Sequence, residues 1–358
     1  MTHRFSRPRS PRVGRLALPR PFSIPGLALL ATVLIGIAWA ATAAAFELPT
    51  QNRAIFEPGG DERYFVPTPD KPWTSGAFGC VRSDGNQMHE GIDIRCLQRD
   101  RHGEPKDPVM ASLDGVVAYV NRKAGLSNYG QYVVLKHVVE GLEVYTLYAH
   151  LSEVRDGLGA GVAVKAGETI AIMGRTSNTR SRISKERAHV HFEINLFLND
   201  RFSPWYRDNF PGQRNDHGMW NGQNLLGLDP RLILEQQHAE GAKFSLRRFL
   251  ATRAEICRVL LREPSFPWVR RYPQLVVANP ATQKERIAGY EASLDYNGVP
   301  FRLVPIPASS LKPGPQFELV AVNDAEQRKN PCRHLVVRRG DGWQLGEYGR
   351  KTLELLLY

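Results

Sequence analysis

His189-Val190-His191-Phe192-Glu193-Ile194 is the stretch on which the reading of this chain turns. Val190, Phe192 and Ile194 alternate with His189, His191 and Glu193, the period of a β-strand with one apolar face. Residues two apart share a face, so two imidazoles and a carboxylate line up about 6.6 Å apart between neighbouring α-carbons. That spacing lets His191 bind a metal while His189 stands beside it as a non-ligand. Glu193 is placed to hydrogen-bond behind a ligand and fix its tautomer, as carboxylates around metal sites do.

Working outward, a hundred residues earlier the chain reads His89-Glu90-Gly91-Ile92-Asp93, and between the two lies Tyr148-Ala149-His150-Leu151. A helix through 89–93 is disfavoured by Gly91 and by the β-branched Ile92 and Ile94. A straight strand would separate His89 from Asp93 by roughly 13 Å, too far to share one ion. A bend or bulge at Glu90-Gly91 is therefore expected, with Asp93 entering a strand beyond it. The three segments supply four histidines and one aspartate. Three of these can hold a divalent metal with a fourth position open to water, the arrangement of catalytic zinc, and two imidazoles remain for acid–base work. The other histidines, at 3, 102, 137, 217, 238 and 334, fit no ligand spacing and read as solvated or packed.

These segments resemble the zinc metallopeptidases of the lysostaphin/LytM type, the M23 peptidases, which cut peptide cross-links in bacterial peptidoglycan. The resemblance covers roughly residues 75–234 and includes the glycine-turn strand around Val164-Lys165-Ala166-Gly167-Glu168-Thr169-Ile170. It implies that His89, Asp93 and His191 hold one Zn2+ and that His150 and His189 flank the attacking water. Two departures stand out. Residues 176–188, where the family has a short Gly/Ser/Thr loop ending in Gly-Pro, are longer and carry Arg180, Arg182, Lys185 and Arg187. The stretch Cys80-Val81-Arg82-Ser83-Asp84 lacks the tyrosine that some glycyl-glycine-cutting members place before the first histidine. Neither a substrate preference nor a tyrosine oxyanion role is carried over.

The chain has 358 residues, 42% of them hydrophobic, which suits two domains. Residues 1–23 contain six arginines and no acid, and an uncharged apolar run follows to Ala45. This reads as a targeting segment, either a signal peptide cleaved after Ala45 or an anchor formed by 24–45, with everything from Phe46 onward exported. Exported cysteines tend to pair. Of three possible connectivities, the local ones, Cys80 with Cys96 and Cys257 with Cys332, are the expectation. A structural zinc held by thiolates lacks the compact spacing it needs.

The expected architecture is mainly β. An extended lead-in (46–74) precedes an antiparallel LytM-like peptidase domain (75–240), and helices join it to a small β-rich accessory domain (241–358). Strands are expected near 115–120, 131–139, 142–147 and 169–173, a turn at Asn128-Tyr129-Gly130 and a long surface loop over 202–226. Asp229-Pro230 reads as the N-cap and first position of a helix. Beyond 241 the spacing predicts a helix over 244–261 and β-runs at 274–278, 301–305, 317–322, 334–337 and 353–358.

The net charge is +11, and residues 243–358 hold 19 basic against 11 acidic side chains. On an exported protein such a surface suits anionic wall polymers or lipid head groups, with ordinary solubilising charge the plain alternative; nucleic acid is disfavoured by the export signal. Three functions compete: an endopeptidase of peptidoglycan cross-links, a non-catalytic wall-binding regulator of another hydrolase, and a secreted peptidase of proteins. All five site positions are filled, which favours catalysis. The single short lead-in and the lack of wall-anchoring repeats point to a periplasm.

Overall fold

A computed structural model describes residues 45–179 and 183–358. The leader, but for Ala45, and Arg180 and Arg182 of the basic loop lie outside them. In chain order the first twelve strands are β1 Gly79–Arg82, β2 Gln87–His89, β3 Ile92–Arg95, β4 Pro108–Met110, β5 Gly115–Asn121, β6 Gln131–Val139, β7 Leu142–Leu151, β8 Glu153–Val154, β9 Ala163–Val164, β10 Thr169–Ile172, β11 His189–Phe197 and β12 Leu225–Leu228. The main sheet runs β12-β11-β7-β6-β5-β9, antiparallel throughout, and β3 adds to β11 ahead of β12. A smaller sheet, β4-β10-β8, and the β1–β2 hairpin complete this part. The fold is mainly antiparallel β, as the alternating patterns predict.

The alternation in β11 sorts its two faces. Val190, Phe192 and Ile194 enter the main core with Tyr148, while His189, His191 and Glu193 share the other face. Burying Phe192 and Ile194 completely contributes about 1.5–3 kcal/mol each, which fixes the register, because a slip by one residue would turn the histidines into the core. The lead-in packs against the same core through Phe46, Leu48, Ile55, Tyr64 and Phe65.

After β12 comes the helix Pro230–Glu240, with Asp229 as its N-cap accepting from the Leu232 amide at 3.2 Å, as expected. The expected boundary at 240/241 falls where this helix runs into the short turn Gly241–Lys243, and the described residues on both sides of it belong to one compact unit. A four-stranded sheet follows in the order β15-β14-β13-β16, built from β13 Cys257–Leu261, β14 Ile287–Leu294, β15 Pro300–Pro307 and β16 Phe317–Val322. A hairpin, β17 Val336–Arg339 with β18 Gly342–Leu345, leads to the helix Glu347–Leu357.

Four expectations about elements are corrected. The helix over 244–261 stops at Ala251: Cys257, Val259 and Leu261 are buried alternately, and β13 pairs on both edges, so period two wins over period 3.6 there. Residues 353–357 are helical, not a strand, because Leu353 and Leu356, three apart, are buried on one side of Glu347–Leu357. The run 274–278 is a short 3-10 turn, Pro273–Leu275, with one bridge from Val276 to Leu303. The stretch 202–226 is not all loop: Phe202 and Trp205 anchor the helix Phe202–Asn209, and Leu225 starts β12.

The cysteine pairing is also corrected. Cys80 on β1 is bonded to Cys332, 252 residues away, while Cys96 and Cys257 are buried free thiols. Cys96 donates to Asp107 Oδ2 at 3.1 Å, so its sulfur has a partner away from Cys80. Its pKa is pushed up to about 11 by burial and by that carboxylate. Burial pushes the Cys257 thiol up to about 12.

Candidate metal centre and its flanking histidines

The register of three strands assembles the site. On β11, His191 stands opposite Asp93 of β3 on one side and Ala149 of β7 on the other. Directly paired residues share a face, so Asp93 and His191 meet. β2 delivers His89 and ends, the chain bends at Glu90-Gly91 as expected, and β3 begins at Ile92. The reason for Gly91 is close approach rather than an unusual dihedral: a Cβ there would lie 2.3 Å from the Phe192 carbonyl oxygen. His89 and Asp93, too far apart on a straight strand, are thereby folded onto each other.

His89 Nε2 lies 3.1 Å from Asp93 Oδ1 and 3.1 Å from His191 Nδ1, and His191 Nδ1 lies 3.0 Å from Asp93 Oδ1. All three residues are buried, and they form a group of side chains able to hold one metal ion. The outward nitrogens are already committed: His89 Nδ1 donates to the Ala77 carbonyl at 2.7 Å and His191 Nε2 to Glu193 Oε1 at 2.9 Å. Each ring therefore presents its lone pair inward, the tautomer a ligand needs. Glu193 is itself held by the Tyr129 hydroxyl at 3.0 Å and by Asn195 Nδ2 at 2.9 Å. Two nitrogens and one carboxylate oxygen, spaced near the roughly 3.3 Å edges of a tetrahedron with 2.0–2.1 Å bonds, fit zinc.

His150 reaches the site by a backbone device that the sequence does not announce. Simple alternation along β7 would send it to the apolar face with Tyr148 and Phe192. Instead its φ is +61°, a left-handed conformation uncommon outside glycine, and the ring turns back toward the histidines. Its centroid lies 4.8 Å from that of His189 and 6.0 Å from that of His191. His150 Nδ1 donates to the Thr176 carbonyl at 2.9 Å and His189 Nδ1 to the Arg187 carbonyl at 2.6 Å, so each keeps Nε2 for the site.

Burial lowers the pKa of His150 well below its ordinary value, with the neighbouring histidines adding to the effect. Burial also lowers His189, against the pull of Asp93. Asp93 is held well below the carboxylate range: burial opposes its charge, but His189, His89 and Arg82 outweigh it. All five sequence-predicted site residues are thus brought together.

Three residues were not singled out as site residues from sequence. Arg82, at the end of β1, donates Nη2 to Asp93 Oδ2 at 2.5 Å and lies 3.0 Å from His89 Nε2. Tyr129 backs Glu193. His217, read as solvated or packed, lines the cavity over the site, with Nδ1 3.1 Å from the Tyr132 hydroxyl. The only sequence signal was the turn at 128–130; the other two arrive by tertiary folding. His137, on a neighbouring strand, is packed away from the site, bonded to the Asp114 carbonyl and Thr146 Oγ1. The cavity is about 940 Å³.

Comparison with known proteins follows the same residues. The profile of peptidase family M23 matches residues 87–203. Over 110 residues the chain is 34% identical to the DD-carboxypeptidase/endopeptidase Mpg of Neisseria meningitidis serogroup B (strain ATCC 13091 / M2091), covering 31% of this chain and 20% of that protein. The Neisseria gonorrhoeae protein of that name matches equally. The chain thus spans about a fifth of the length of the curated relatives it matches. Among solved structures, it is similar to a zinc-containing peptidase from Vibrio cholerae, with 28% identity over 30% of this chain and 26% of that one and a TM-score of 0.23. The catalytic domain of lysostaphin from Staphylococcus simulans matches at 20% identity over 45% of this chain and 87% of that one, with a TM-score of 0.26. From the profile and the curated relatives, residues 87–203 of this chain are similar to peptidase family M23 and make up a domain of that type.

Proposed function

We propose that this chain is a zinc-dependent hydrolase of peptide bonds in bacterial peptidoglycan, acting on the peptide cross-links between strands. The observation that carries the reading is the inward convergence of His89 Nε2, Asp93 Oδ1 and His191 Nδ1 within 3.0–3.1 Å of one another, with two further imidazoles beside them. The name DD-carboxypeptidase/endopeptidase, borne by the matched relatives, supports the substrate class.

These three residues would hold zinc, which when bound would supply Lewis acidity and lower the pKa of a water toward neutrality. The protein does the rest. His150 is kept neutral by burial, with Nδ1–H fixed on Thr176, so Nε2 is free to accept the proton of the attacking water. His189 is lowered by burial too, but Asp93, whose Oδ2 lies 3.5 Å from its Nε2, offsets part of that, so of the two imidazoles it is the better suited to carry a proton to the leaving amine. Glu193, fully buried, keeps His191 from rotating.

The export reading, to the periplasm, rests on residues 1–45 and remains part of this proposal. The basic excess of 243–358 does not enter it.

The test is digestion of purified peptidoglycan by the zinc-loaded chain, beside His150→Ala and a chelated control, with products read by mass spectrometry. Cross-linked dimers should become monomers only with the intact, loaded protein. Wall binding without any cleavage would overturn the reading in favour of a regulator of another hydrolase.

A further inference from the structure

The cavity over the site is lined by five cationic side chains besides its histidines: Lys71, Arg82, Arg187, Arg214 and Arg333. Four of them have a carboxylate of their own. Lys71 pairs with Asp84 at 2.7 Å, Arg82 with Asp93 at 2.5 Å, Arg214 with Asp216 at 2.6 Å and Arg333 with Glu90 at 3.2 Å. Arg187 has no carboxylate partner among the described residues, and none of residues 1–44 or 180–182 is Asp or Glu. Its Nε donates to the Pro67 carbonyl at 2.9 Å, which anchors the side chain and leaves both η nitrogens without a hydrogen-bond acceptor among the described residues. It is half-buried, and burial with the nearby Arg82 charge works against its own charge, against the pull of Asp93. Its backbone carbonyl also holds His189. A desolvated, anchored guanidinium beside the reacting groups is a place for an anion.

We infer that Arg187 binds a carboxylate of the substrate, the one carried by the carbon next to the scissile nitrogen. The chemistry points to that side of the bond. The α-carboxyl of the acyl-side residue is consumed as the scissile carbonyl, so an α-carboxylate close to the bond belongs to the residue that leaves as the amine. Two substrates share this feature: a peptide ending in a free carboxylate after its last amide, and a direct cross-link to the carboxylate-bearing centre of a diamino acid. A glycine bridge, whose next carboxyl is itself an amide, lacks it. The departure of the 176–188 loop from the family pattern thus becomes a determinant of specificity, and this inference rests on the peptidase reading above.

The test uses the full-length chain and matched pairs of peptides, one pair terminal and one pair cross-linked. In each pair that carboxylate is either free or converted to the carboxamide. Zinc-loaded wild type should prefer the free carboxylate about tenfold or more in kcat/KM, mainly through KM, and Arg187→Gln should bring the ratio near unity. Arg187→Lys should keep part of it, and Arg214→Gln, at a cation already paired, should keep all of it. The same preference should appear in direct binding of the peptides to the chelated protein and vanish in Arg187→Gln. The two pairs separate terminal from cross-linked substrates. Equal cleavage of free and amidated peptides, or a preference that survives in Arg187→Gln, overturns the inference and leaves the peptidase reading intact. Preferential binding that depends on Arg187, without cleavage, upholds Arg187 as a carboxylate-binding residue but overturns the peptidase reading and, with it, the placement of that carboxylate beside a scissile nitrogen.

Discussion

Arg82 grips the one oxygen of Asp93 that faces away from the histidine pair: Nη2 donates to Oδ2 at 2.5 Å while Oδ1 lies 3.0 Å from His191 and 3.1 Å from His89. The arrangement divides the carboxylate between a positioning cation and the metal-binding face. Without the guanidinium, Asp93 is free to rotate about its last bond, and its charge loses a nearby partner. Arg82→Gln should therefore weaken zinc retention by roughly 10–100-fold, measured by competition with a chromogenic chelator. Unchanged affinity would reduce Arg82 to an ordinary ion pair.

The division of labour among the five residues predicts a split between metal content and turnover. His89→Ala or Asp93→Ala should lose both, because each removes an inward donor. His150→Ala should keep stoichiometric zinc by elemental analysis and lose most of its rate, roughly 10²–10⁴-fold. A His150→Ala protein that binds no metal would place His150 among the ligands and undo the assignment.

How much of this was legible in the sequence follows from how each residue gets to its place. His189, His191 and Glu193 were legible because β11 is regular, so period two alone sets their face. Asp93 and His89 needed one bend, and Gly91 announced it. The strand positions of residues 115–151 followed from alternation, and the Asp229 cap from its side chain. Arg82 could not be read, since its approach to Asp93 depends on how the β1–β2 hairpin folds over β3. Nor could the left-handed backbone of His150, which breaks the very rule that places its neighbours. The cysteines failed for a related reason: proximity in sequence is a poor guide when the chain returns to β1 after 252 residues. Beyond Gly241 the apolar spacing at 244–261 suited a helix as well as a strand, and only pairing with both neighbours decided it.

The observed pairing of Cys80 with Cys332 predicts the thiol count. Denatured without reductant, the described part should show two reactive thiols, Cys96 and Cys257, and two more after reduction. Cutting the unreduced protein should give one linked peptide pair containing residues 80 and 332. Cys332→Ser should cost about 2–4 kcal/mol by removing a long closed loop from the unfolded chain. The loss should also reach the site, because Cys80 is two residues from Arg82 and Cys332 is next to Arg333, which meets Glu90 at 3.2 Å. Zinc retention falling together with stability would show that coupling; a linked pair through Cys96 or Cys257 would refute the pairing itself.

Asp229 carries a pH dependence that the fold, not the active site, imposes. Its carboxyl is pushed up from 3.8 to about 6 by burial, which outweighs the Leu232 amide and the charges of Arg253 and Arg231. A raised acid pKa means the folded chain holds this proton more tightly than the unfolded chain does. Stability from this group is therefore greatest below about pH 4 and is lost as pH rises through about 6, where the folded carboxyl ionises. Asp229→Asn keeps an oxygen for the Leu232 amide and removes the charge. It should match wild type in thermal unfolding near pH 3.5 and exceed it by about 2 °C or more at pH 7.5. The gap should open between those limits. If the variant is instead less stable at pH 7.5, attraction between the ionised cap and the first turn of the helix outweighs the cost of burying it.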